Sequence, residues 1–427
     1  MNRDGKNKKI YRILMIIVAV ILAIAMMIPS FSYFLPEPAK NEGNQSRIPI
    51  ADRGISYDEK SEQSITLVAV GDIMAHRPQL AAQFNAASGQ YNFDNNFQYI
   101  KPYIEKADFA MCNVETTFGG EPYSGYPLFN SPDSLATAIK NAGFDLAFTS
   151  NNHMLDTGLK GVERTIKILR ENKLLVSGSF LEGEKNYIIA DVKGIPTAFI
   201  GYTYRTPEVS GYPTVNGNRV TEEISRRINS FGFENLDNDL EQLKNSIKQA
   251  KKDGAKLIVT YFHWGIEYQR QENEKQQYIA KKAAKFGSDI IFASHPHVEQ
   301  PLKGIKIKNK VVPVFYSMGN FLSNQRADTV NNRYAEQGAI ARAKIYFKGD
   351  KIENIEADII PTWVNKYNLR GKINYAIIPL DKNFDKNPAI LASGNINKAR
   401  QALNDQIELF GQDKILKIDR EEENGML

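Results

Sequence analysis

The sequence predicts an α/β fold with mixed central sheets, because apolar, β-rich runs alternate with amphipathic helical patterns and a hairpin interrupts their order. Each apolar run is rich in β-branched or aromatic residues and is followed directly by polar ones, which is typical of a buried strand. The predicted strands cover residues 65–70, 109–112, 146–149, 257–261, 290–293 and 311–316.

Amphipathic helices are predicted where apolar residues recur every three or four positions and a glycine follows. The clearest pattern consists of Leu236, Leu240, Leu243, Ile247 and Ala250, and it ends before Gly254. Two further patterns consist of Ile279, Ala283 and Phe286 before Gly287, and of Val162, Ile166 and Leu169.

The segment 187–204 reads YIIADV, KGIPT and AFIGYTY, which predicts a β-hairpin and therefore a mixed sheet. After about Glu336, short strand patterns around a Gly-Asp turn and a helical pattern over 396–410 follow. The core domain is predicted to cover 64–335. We interpret residues 336–427 as a smaller, β-rich segment that completes this domain.

The N-terminus carries a candidate membrane anchor. Every residue from 13 to 28 is apolar, so with its uncharged extension this segment can provide the ~20 residues that a bilayer crossing needs. Basic residues dominate positions 1–12, which by the positive-inside rule predicts a cytoplasmic tail and an extracellular body. The sequence thus predicts one transmembrane helix over 13–35 and a cell-membrane protein with a flexible linker over 36–63.

A cleaved signal peptide is the alternative, because Ala23 and Ala25 offer an A-x-A pattern after a shorter apolar core. The apolar residues Met26, Ile28 and Phe31 continue beyond that pattern and favour the anchor. In both interpretations, the folded part of the chain, from about Ser64 onward, lies outside the cytoplasm.

Composition excludes some classes of protein. The net charge of +5 is spread along the chain, with no long basic run outside the N-terminus, so nucleic acid is not an expected partner. The single cysteine, Cys112, excludes an intramolecular disulfide framework and lies in an apolar run, where it is expected to be a small buried residue.

All the histidines of the chain lie at or just beyond the carboxyl end of a predicted strand, where α/β proteins collect their ligand groups. They are His76, His153, His263, His295 and His297. Carboxylate and amide side chains occur at similar positions, namely Asp72, Asn113, Glu115, Asn151, Asn152, Asp156, Glu267 and Asn320. Imidazole, carboxylate and amide ligands without thiolate suit one or two divalent ions such as Zn²⁺, Mn²⁺ or Fe²⁺.

The motifs GDIM, NVE, NNHMLDTG, HWGIE, HPHV and YSMGNF occur in this order over 65–321. The series resembles the capsule polyglutamate synthesis proteins of the CapA/PgsA type, in the calcineurin-like metallophosphoesterase superfamily. The resemblance implies a four-layered α/β sandwich of metallophosphatase type, metals at the strand ends, and an outward-facing domain on one N-terminal anchor.

The resemblance also implies roles for individual residues. The implied metal ligands are Asp72, Glu115 (where the superfamily usually has an aspartate), Asn152, His263, His295 and His297. His153, oriented by Asp156, matches the histidine that contacts the reacting group, so both are predicted catalytic residues. In the first motif, Met74 occupies the usual histidine position and His76 lies two residues further on, which leaves the number of metals open.

The predicted substrate-binding residues are His76, Trp264, Glu267 and Asn320. The first functional hypothesis is metal-dependent hydrolysis at a phosphoryl or acyl centre during capsule or poly-γ-glutamate synthesis or export. The second is a non-catalytic subunit that binds an anionic polymer or a membrane-bound synthase. The third, based on superfamily analogy alone, is an exported phosphodiesterase acting on a phosphoester.

Overall fold

The computed structural model describes residues 62–414 of the chain. The predicted cytoplasmic tail, the transmembrane helix and the linker up to residue 61 lie outside the described residues. Within 62–414, no helix is both long enough and apolar enough to cross a membrane.

The described residues form twenty strands, eleven α-helices and two 3₁₀ turns. The strands are β1 (Glu62–Ile73), β2 (Phe84–Asn85), β3 (Gln90–Tyr91), β4 (Phe109–Val114), β5 (Leu146–Phe148), β6 (Leu175–Ser177), β7 (Ile188–Val192), β8 (Ile195–Tyr204), β9 (Thr206–Val209), β10 (Tyr212–Val215), β11 (Asn218–Arg219), β12 (Ser230–Phe231), β13 (Leu257–His263), β14 (Ile290–Ser294), β15 (Glu299–Ile307), β16 (Lys310–Met318), β17 (Asn320–Leu322), β18 (Gln337–Lys348), β19 (Lys351–Leu369) and β20 (Lys372–Pro379). The helices are α1 (Arg77–Gln83), α2 (Asp94–Phe97), α3 (Lys101–Glu105), α4 (Ser134–Asn141), α5 (Gly158–Glu171), α6 (Glu222–Ser225), α7 (Leu236–Lys252), α8 (Glu274–Phe286), α9 (Ala327–Val330), α10 (Pro388–Ser393) and α11 (Ile396–Phe410), and the 3₁₀ turns are Arg333–Glu336 and Phe384–Lys386.

Two large sheets organise the molecule. The first has the order β20-β19-β18-β1-β4-β5-β6, and β17 also pairs with β1. The second has the order β12-β8-β13-β14-β16-β15, and β7 also pairs with β8. Each sheet combines parallel pairs, such as β1 with β4 and β13 with β14, with antiparallel ones, such as β18 with β19 and β15 with β16.

The prediction of an α/β fold with mixed sheets is confirmed. The six predicted strands coincide with β1, β4, β5, β13, β14 and β16, and the predicted hairpin is the antiparallel pair of β7 and β8. The predicted helices coincide with α5, α7 and α8, and each predicted glycine lies in the left-handed region just after its helix, with φ of +99° at Gly254 and +116° at Gly287. Cys112 is fully buried in β4, and burial raises the pKa of its thiol.

The two sheets pack face to face through an apolar core. In this core Phe109 stacks on Phe199 with ring centroids 4.7 Å apart, and Phe148 stacks on Tyr261 at 4.5 Å. Apolar side chains of α4 and α5 cover the outer face of the first sheet, and those of α7 and α8 cover the outer face of the second. The layers therefore run helices, sheet, sheet, helices.

The segment after residue 336 extends the first sheet. Strand β18 pairs with β1 from Glu62 opposite Lys348 to Val70 opposite Ile340, and β19 and β20 continue the sheet outward. The final helix, α11, covers the predicted range and packs on β19 together with α10. The carboxyl end of β1 pairs with β17 on one side and with β4 on the other, and the polar motifs lie at this end of the sheet.

Candidate metal centre

Polar residues that end or follow strands of both sheets come together at one edge of the fold. Asp72 is near the end of β1 in the first sheet, and its Oδ2 lies 3.0 Å from Nδ1 of His297, which follows β14 in the second sheet. Asn152 follows β5, and its Oδ1 lies 2.8 Å from Nε2 of His263 at the end of β13. The structure therefore brings together groups that are far apart in the sequence.

Two glycines allow this approach. The backbone N–H of Asp72 donates to the carbonyl oxygen of Gly319 at 3.0 Å. A Cβ atom at position 71 would lie only 1.9 Å from that same oxygen, so Gly71 leaves room that no other residue would. The sequences Gly71-Asp72 and Gly319-Asn320 thus place Asp72 beside Asn320, its partner in the register of β1 and β17.

The His-Pro-His turn holds two imidazoles in a strained backbone. His295 has φ of +105° and His297 has φ of +57°, both in the left-handed region that L-residues avoid. Strain of this kind persists only where the surrounding structure imposes it, and it is concentrated at functional sites. Both histidines are buried, and their ring centroids are 5.9 Å apart.

Glu115 is the central carboxylate. Its side chain is fully buried, and neither of its oxygens has a hydrogen-bond partner among the described residues. Its Oε1 lies 3.3 Å from Nε2 of His263 and 4.0 Å from Nε2 of His297. Glu115 belongs to two groups whose ligand atoms lie within 4.8 Å of one another: one with His295 and His297, the other with Asp72 and His263.

The carboxylates of this centre are perturbed in opposite directions. Burial raises the pKa of Glu115 well above its usual value, and the charge of Asp72 raises it further. Burial also acts to raise the pKa of Asp72, but the hydrogen bond and charge of His297 outweigh it and lower this pKa. Asp72 is therefore the ionised partner of His297, whereas Glu115 carries an electrostatic cost that a cation would relieve.

The histidines differ in the same way. Burial lowers the pKa of His263 to about 3, and burial together with the charge of His263 lowers the pKa of His295. Burial would also lower the pKa of His297, but the hydrogen bond to Asp72 raises it above its usual value. At neutral pH, His263 and His295 are neutral imidazoles, which is the form that binds metal ions.

These residues fit a divalent ion. An unpaired buried carboxylate, neutral imidazoles and an amide oxygen form a donor set without thiolate, which suits ions of intermediate or hard character. Asn152 Oδ1 and His263 Nε2 face each other and are able to bind one common ion. His297 donates from Nδ1 to Asp72 or Asn320, which leaves its Nε2 for a metal in the usual pattern of an oriented histidine ligand.

His153 and Asp156 form a pair beside this cluster. Nδ1 of His153 lies 2.7 Å from Oδ2 of Asp156, and the backbone N–H of Phe129 donates to the same oxygen at 2.6 Å. The ring of Phe129 contacts His153 edge-on, with centroids 4.7 Å apart. The imidazole is held from two sides, with Nε2 left for a reacting group.

The four predicted substrate-binding residues lie in different environments. Glu267 is exposed at the mouth of the centre, whereas Trp264 is fully buried and donates from Nε1 to the carbonyl of Tyr316. His76 is partly buried, its Nδ1 accepts the N–H of Asn324 at 3.3 Å, and it belongs to neither ligand group. Burial, with the charge of His297 next, lowers its pKa to about 4.

Asn320 is fully buried, and its contacts are with the protein rather than with the mouth of the site. Its Oδ1 lies 3.1 Å from Nδ1 of His297, and its Nδ2 donates to Gln325 and to the carbonyl of Ala335. These contacts favour a role in orienting His297 over the predicted substrate contact.

Asn113 lies in the centre, although the sequence placed it only among the polar residues at the strand ends and we assigned it no role in the site. Its Nδ2 donates to Oδ1 of Asp72 at 2.8 Å, and its Oδ1 accepts from Asn151 at 3.2 Å. The signal was available in the sequence: Asn113 is two residues before Glu115, and alternate residues of a strand point to the same face.

Comparison with known proteins identifies the family. The family model described as bacterial capsule synthesis protein PGA_cap matches residues 66–325. The chain belongs to this family. The matched range contains every member of the metal centre described above.

Two CapA proteins of Bacillus species are similar to this chain. The capsule biosynthesis protein CapA of Bacillus anthracis is 28% identical over 317 residues, which cover 71% of this chain and 68% of the relative. The PGA biosynthesis protein CapA of Bacillus subtilis (strain 168) is 28% identical over 274 residues, which cover 62% of this chain and 65% of the relative. The chain thus spans about two thirds of each relative.

Among solved structures, the calcineurin-like phosphoesterase YfkN of Bacillus subtilis aligns with 80% of this chain and 99% of its own, at 15% identity and a TM-score of 0.40.

Proposed function

We propose that the chain is a metal-dependent hydrolase that acts in the synthesis or export of a capsule polymer, with poly-γ-glutamate as the expected polymer. The observation that carries this proposal is the buried, unpaired carboxylate of Glu115 among histidine ligands, with the His153–Asp156 pair beside it. The names of the two Bacillus relatives, capsule and PGA biosynthesis proteins, support the biological role.

In this proposal, Asp72, Glu115, Asn152, His263, His295 and His297 hold one or two divalent ions. Such an ion, when bound, supplies Lewis-acid polarisation and lowers the pKa of a water molecule. Asp156 keeps the Nδ1 proton of His153 in place, so Nε2 is the atom that exchanges a proton with the leaving group. Asn113 and Asn320 hold Asp72 and His297 in position.

We also propose that the body faces the outside of the cell, anchored by residues 13–35. The support is the apolar run behind a basic N-terminus. A reporter enzyme that is active only outside the cytoplasm, fused after residue 414, tests this location. Activity of the fusion in intact cells supports the proposal, and a full-length fusion that accumulates in the cells without reporter activity contradicts it.

The function is tested by elemental analysis of the purified full-length protein, alongside hydrolysis of bis(p-nitrophenyl) phosphate and of poly-γ-glutamate. Asn152→Ala and His295→Ala are expected to lose metal without unfolding. Asn141→Ala, at an exposed end of α4, is the control. Unchanged metal content in both site variants would contradict the proposed centre.

The outcomes separate the alternatives. Cleavage of the polymer supports a hydrolase of the capsule system. Turnover of the phosphodiester alone favours an exported phosphodiesterase. Metal without turnover of either compound favours a polymer-binding or assembly subunit.

A further inference from the structure

The loop over residues 119–130, between β4 and α4, connects the candidate centre to the surface on the side of His153. The ring of Phe129 contacts two histidines edge-on: its centroid lies 4.7 Å from that of His153 and 5.0 Å from that of His76. Tyr126 of the same loop has its ring centroid 6.5 Å from that of Phe129. A row of aromatic rings therefore leads from Tyr126 to His153.

Hydrogen bonds fix the shape of this loop. Oδ1 of Asn130 accepts the N–H of Gly119 at 2.7 Å, and its Nδ2 donates to the carbonyl oxygens of Gly120 and Pro122 at 2.6 and 2.9 Å. The backbones of Ser124 and Asn130 also exchange two hydrogen bonds, each of 2.9 Å. A loop that is closed in this way is preorganised, so it loses little conformational entropy when a ligand binds.

Two large apolar side chains of the loop are exposed. Tyr126 is 69% exposed and Leu128 is 49% exposed, whereas Phe129 is buried. The N–H of Phe129 donates to Asp156, the residue that pairs with His153, so this part of the loop adjoins the catalytic candidates directly. Exposed apolar side chains on a fixed loop beside a candidate site favour a contact with a ligand.

Arg77 adds a positive charge next to this loop. A Cβ atom at position 125 would lie only 2.5 Å from the backbone nitrogen of Arg77, so Gly125 lets the loop touch the chain directly after His76. Arg77 is exposed, and its guanidinium forms no hydrogen bond or ion pair with another residue in 62–414. Guanidinium groups bind carboxylates through paired hydrogen bonds. Arg77 is therefore available to bind an anionic group.

We propose that Arg77, Tyr126 and Leu128 form a subsite for a carboxylate-bearing segment of the substrate. The subsite lies on the leaving-group side of the metal centre, next to His153. Arg77 pairs with the carboxylate, and the two apolar side chains pack on the neighbouring methylene groups. A γ-linked glutamyl chain carries a carboxylate and methylene groups in every residue, which matches a cation beside apolar side chains.

The inference rests on the proposed function in taking His153 as the residue that faces the leaving group and an anionic polymer as the substrate. It adds which residues of the chain select that polymer. None of the three belongs to either ligand group, so the subsite can be altered without removing a metal ligand.

The test compares two probes by isothermal titration calorimetry of the full-length, metal-loaded protein. One is a γ-linked glutamate pentamer, and the other is the same pentamer with its α-carboxylates amidated. Both carry alkene groups in place of the amide bonds, so neither can be hydrolysed. We expect the charged pentamer to bind at least about tenfold more tightly than the amidated one, because hydrogen bonds to charged groups are strong.

Arg77→Gln is expected to weaken binding of the charged pentamer by about tenfold and to leave the amidated pentamer unaffected. Arg400→Gln, which removes an exposed arginine of α11, is the matched control and is expected to change neither affinity. Tyr126→Ala is expected to weaken the charged pentamer by about fivefold, whereas Tyr126→Phe keeps the ring and its affinity. Metal content and thermal unfolding of every variant are expected to match those of the unaltered protein.

The proposal is overturned if the two pentamers bind equally or if the charged pentamer does not bind. It is also overturned if Arg77→Gln or Tyr126→Ala leaves the affinity for the charged pentamer unchanged, or if Arg400→Gln lowers it as much as Arg77→Gln.

The titrations involve no turnover, so this proposal and the proposed function fail separately. Selective binding of the charged pentamer by a protein that hydrolyses neither poly-γ-glutamate nor a phosphodiester would keep the subsite and reject the hydrolase. Cleavage of poly-γ-glutamate with the same kcat/KM in Arg77→Gln as in the unaltered protein would keep the hydrolase and reject the subsite.

Discussion

Oδ2 of Asp156 lies 2.7 Å from Nδ1 of His153, and both side chains are almost completely shielded from solvent. The same oxygen accepts the backbone N–H of Phe129, so one carboxylate joins the catalytic candidate to the segment that follows β4. His153 thereby has one defined orientation, with Nε2 facing away from Asp156.

Replacing Asp156 by Asn is expected to lower hydrolysis by about 100-fold or more, because the amide no longer keeps the proton of His153 on Nδ1. Metal content is expected to stay the same, since Asp156 belongs to neither ligand group. Elemental analysis and steady-state kinetics check both parts. Asp350→Asn, which alters an exposed turn, is the control; equal loss of metal and activity in Asp156→Asn would contradict a positioning role.

Asn320→Ala is expected to weaken metal binding by about 10- to 100-fold, because Oδ1 of Asn320 orients His297 and such partners tune metal affinity. A competition titration against a metal-binding dye measures the change. A direct substrate contact instead predicts normal metal affinity with a raised KM, which would contradict our interpretation of this residue.

Metal affinity is expected to rise as pH increases above the ordinary histidine pKa of about 6.5. His297 and Glu115 both have raised pKa values in the metal-free protein, so they give up protons when they bind a cation. His263 and His295 have lowered pKa values and release none in this range. Calorimetric titration in buffers of different ionisation enthalpy counts the protons, and affinity independent of pH would contradict this charge distribution.

Glu299 is expected to make the protein less stable as pH rises. Burial raises its pKa from 4.5 to about 8, so the folded protein keeps a proton that the unfolded chain has already released. The free energy of unfolding therefore falls across this window. Urea unfolding with EDTA at several pH values checks the slope, which Glu299→Gln should make shallower and the exposed control Glu274→Gln should not.

Gly71→Ala is expected to destabilise the fold by more than about 3 kcal/mol, because its Cβ would overlap the carbonyl oxygen of Gly319. Gly89→Ala is the matched control: a Cβ there meets nothing within 4 Å, and only the positive φ of +68° costs about 1–2 kcal/mol. Chemical denaturation measures the free energy of unfolding of both variants. Similar losses in the two would show that the contact with Gly319 does not cause the destabilisation.

Much of the fold could be predicted because its signals are local. The apolar spacing of Leu240, Leu243 and Ile247, with Gly254 after the helix, is complete within one segment. The metal ligands could also be predicted, since each ends or follows a strand and the strand ends meet at one edge. The pairing of β18 with β1 could not be read from the sequence, because it depends on contacts between segments about 280 residues apart, as at Ser64 and Tyr346.

The environment of individual side chains was harder to predict. Asn320 and Trp264 belong to the motifs YSMGNF and HWGIE, yet both are fully buried, and burial follows from how the sheets pack. Tyr204 ends β8 like any aromatic strand residue, and only the fold shows that its ring contacts His295. The sequence shows that the first motif has Met74 where a histidine is usual. Only the structure shows that His76 does not replace it, because His76 lies outside both ligand groups.

The ligands come from two separate hydrogen-bonded sheets: Asp72 and Glu115 from the first, and the three ligand histidines from the second. A coordinated ion would therefore act as a non-covalent cross-link between the two halves of the molecule. Unfolding of either sheet would remove some of the ion's ligands, so a bound ion would couple the unfolding of the two sheets. The metal centre would then stabilise the fold as well as form the candidate active site.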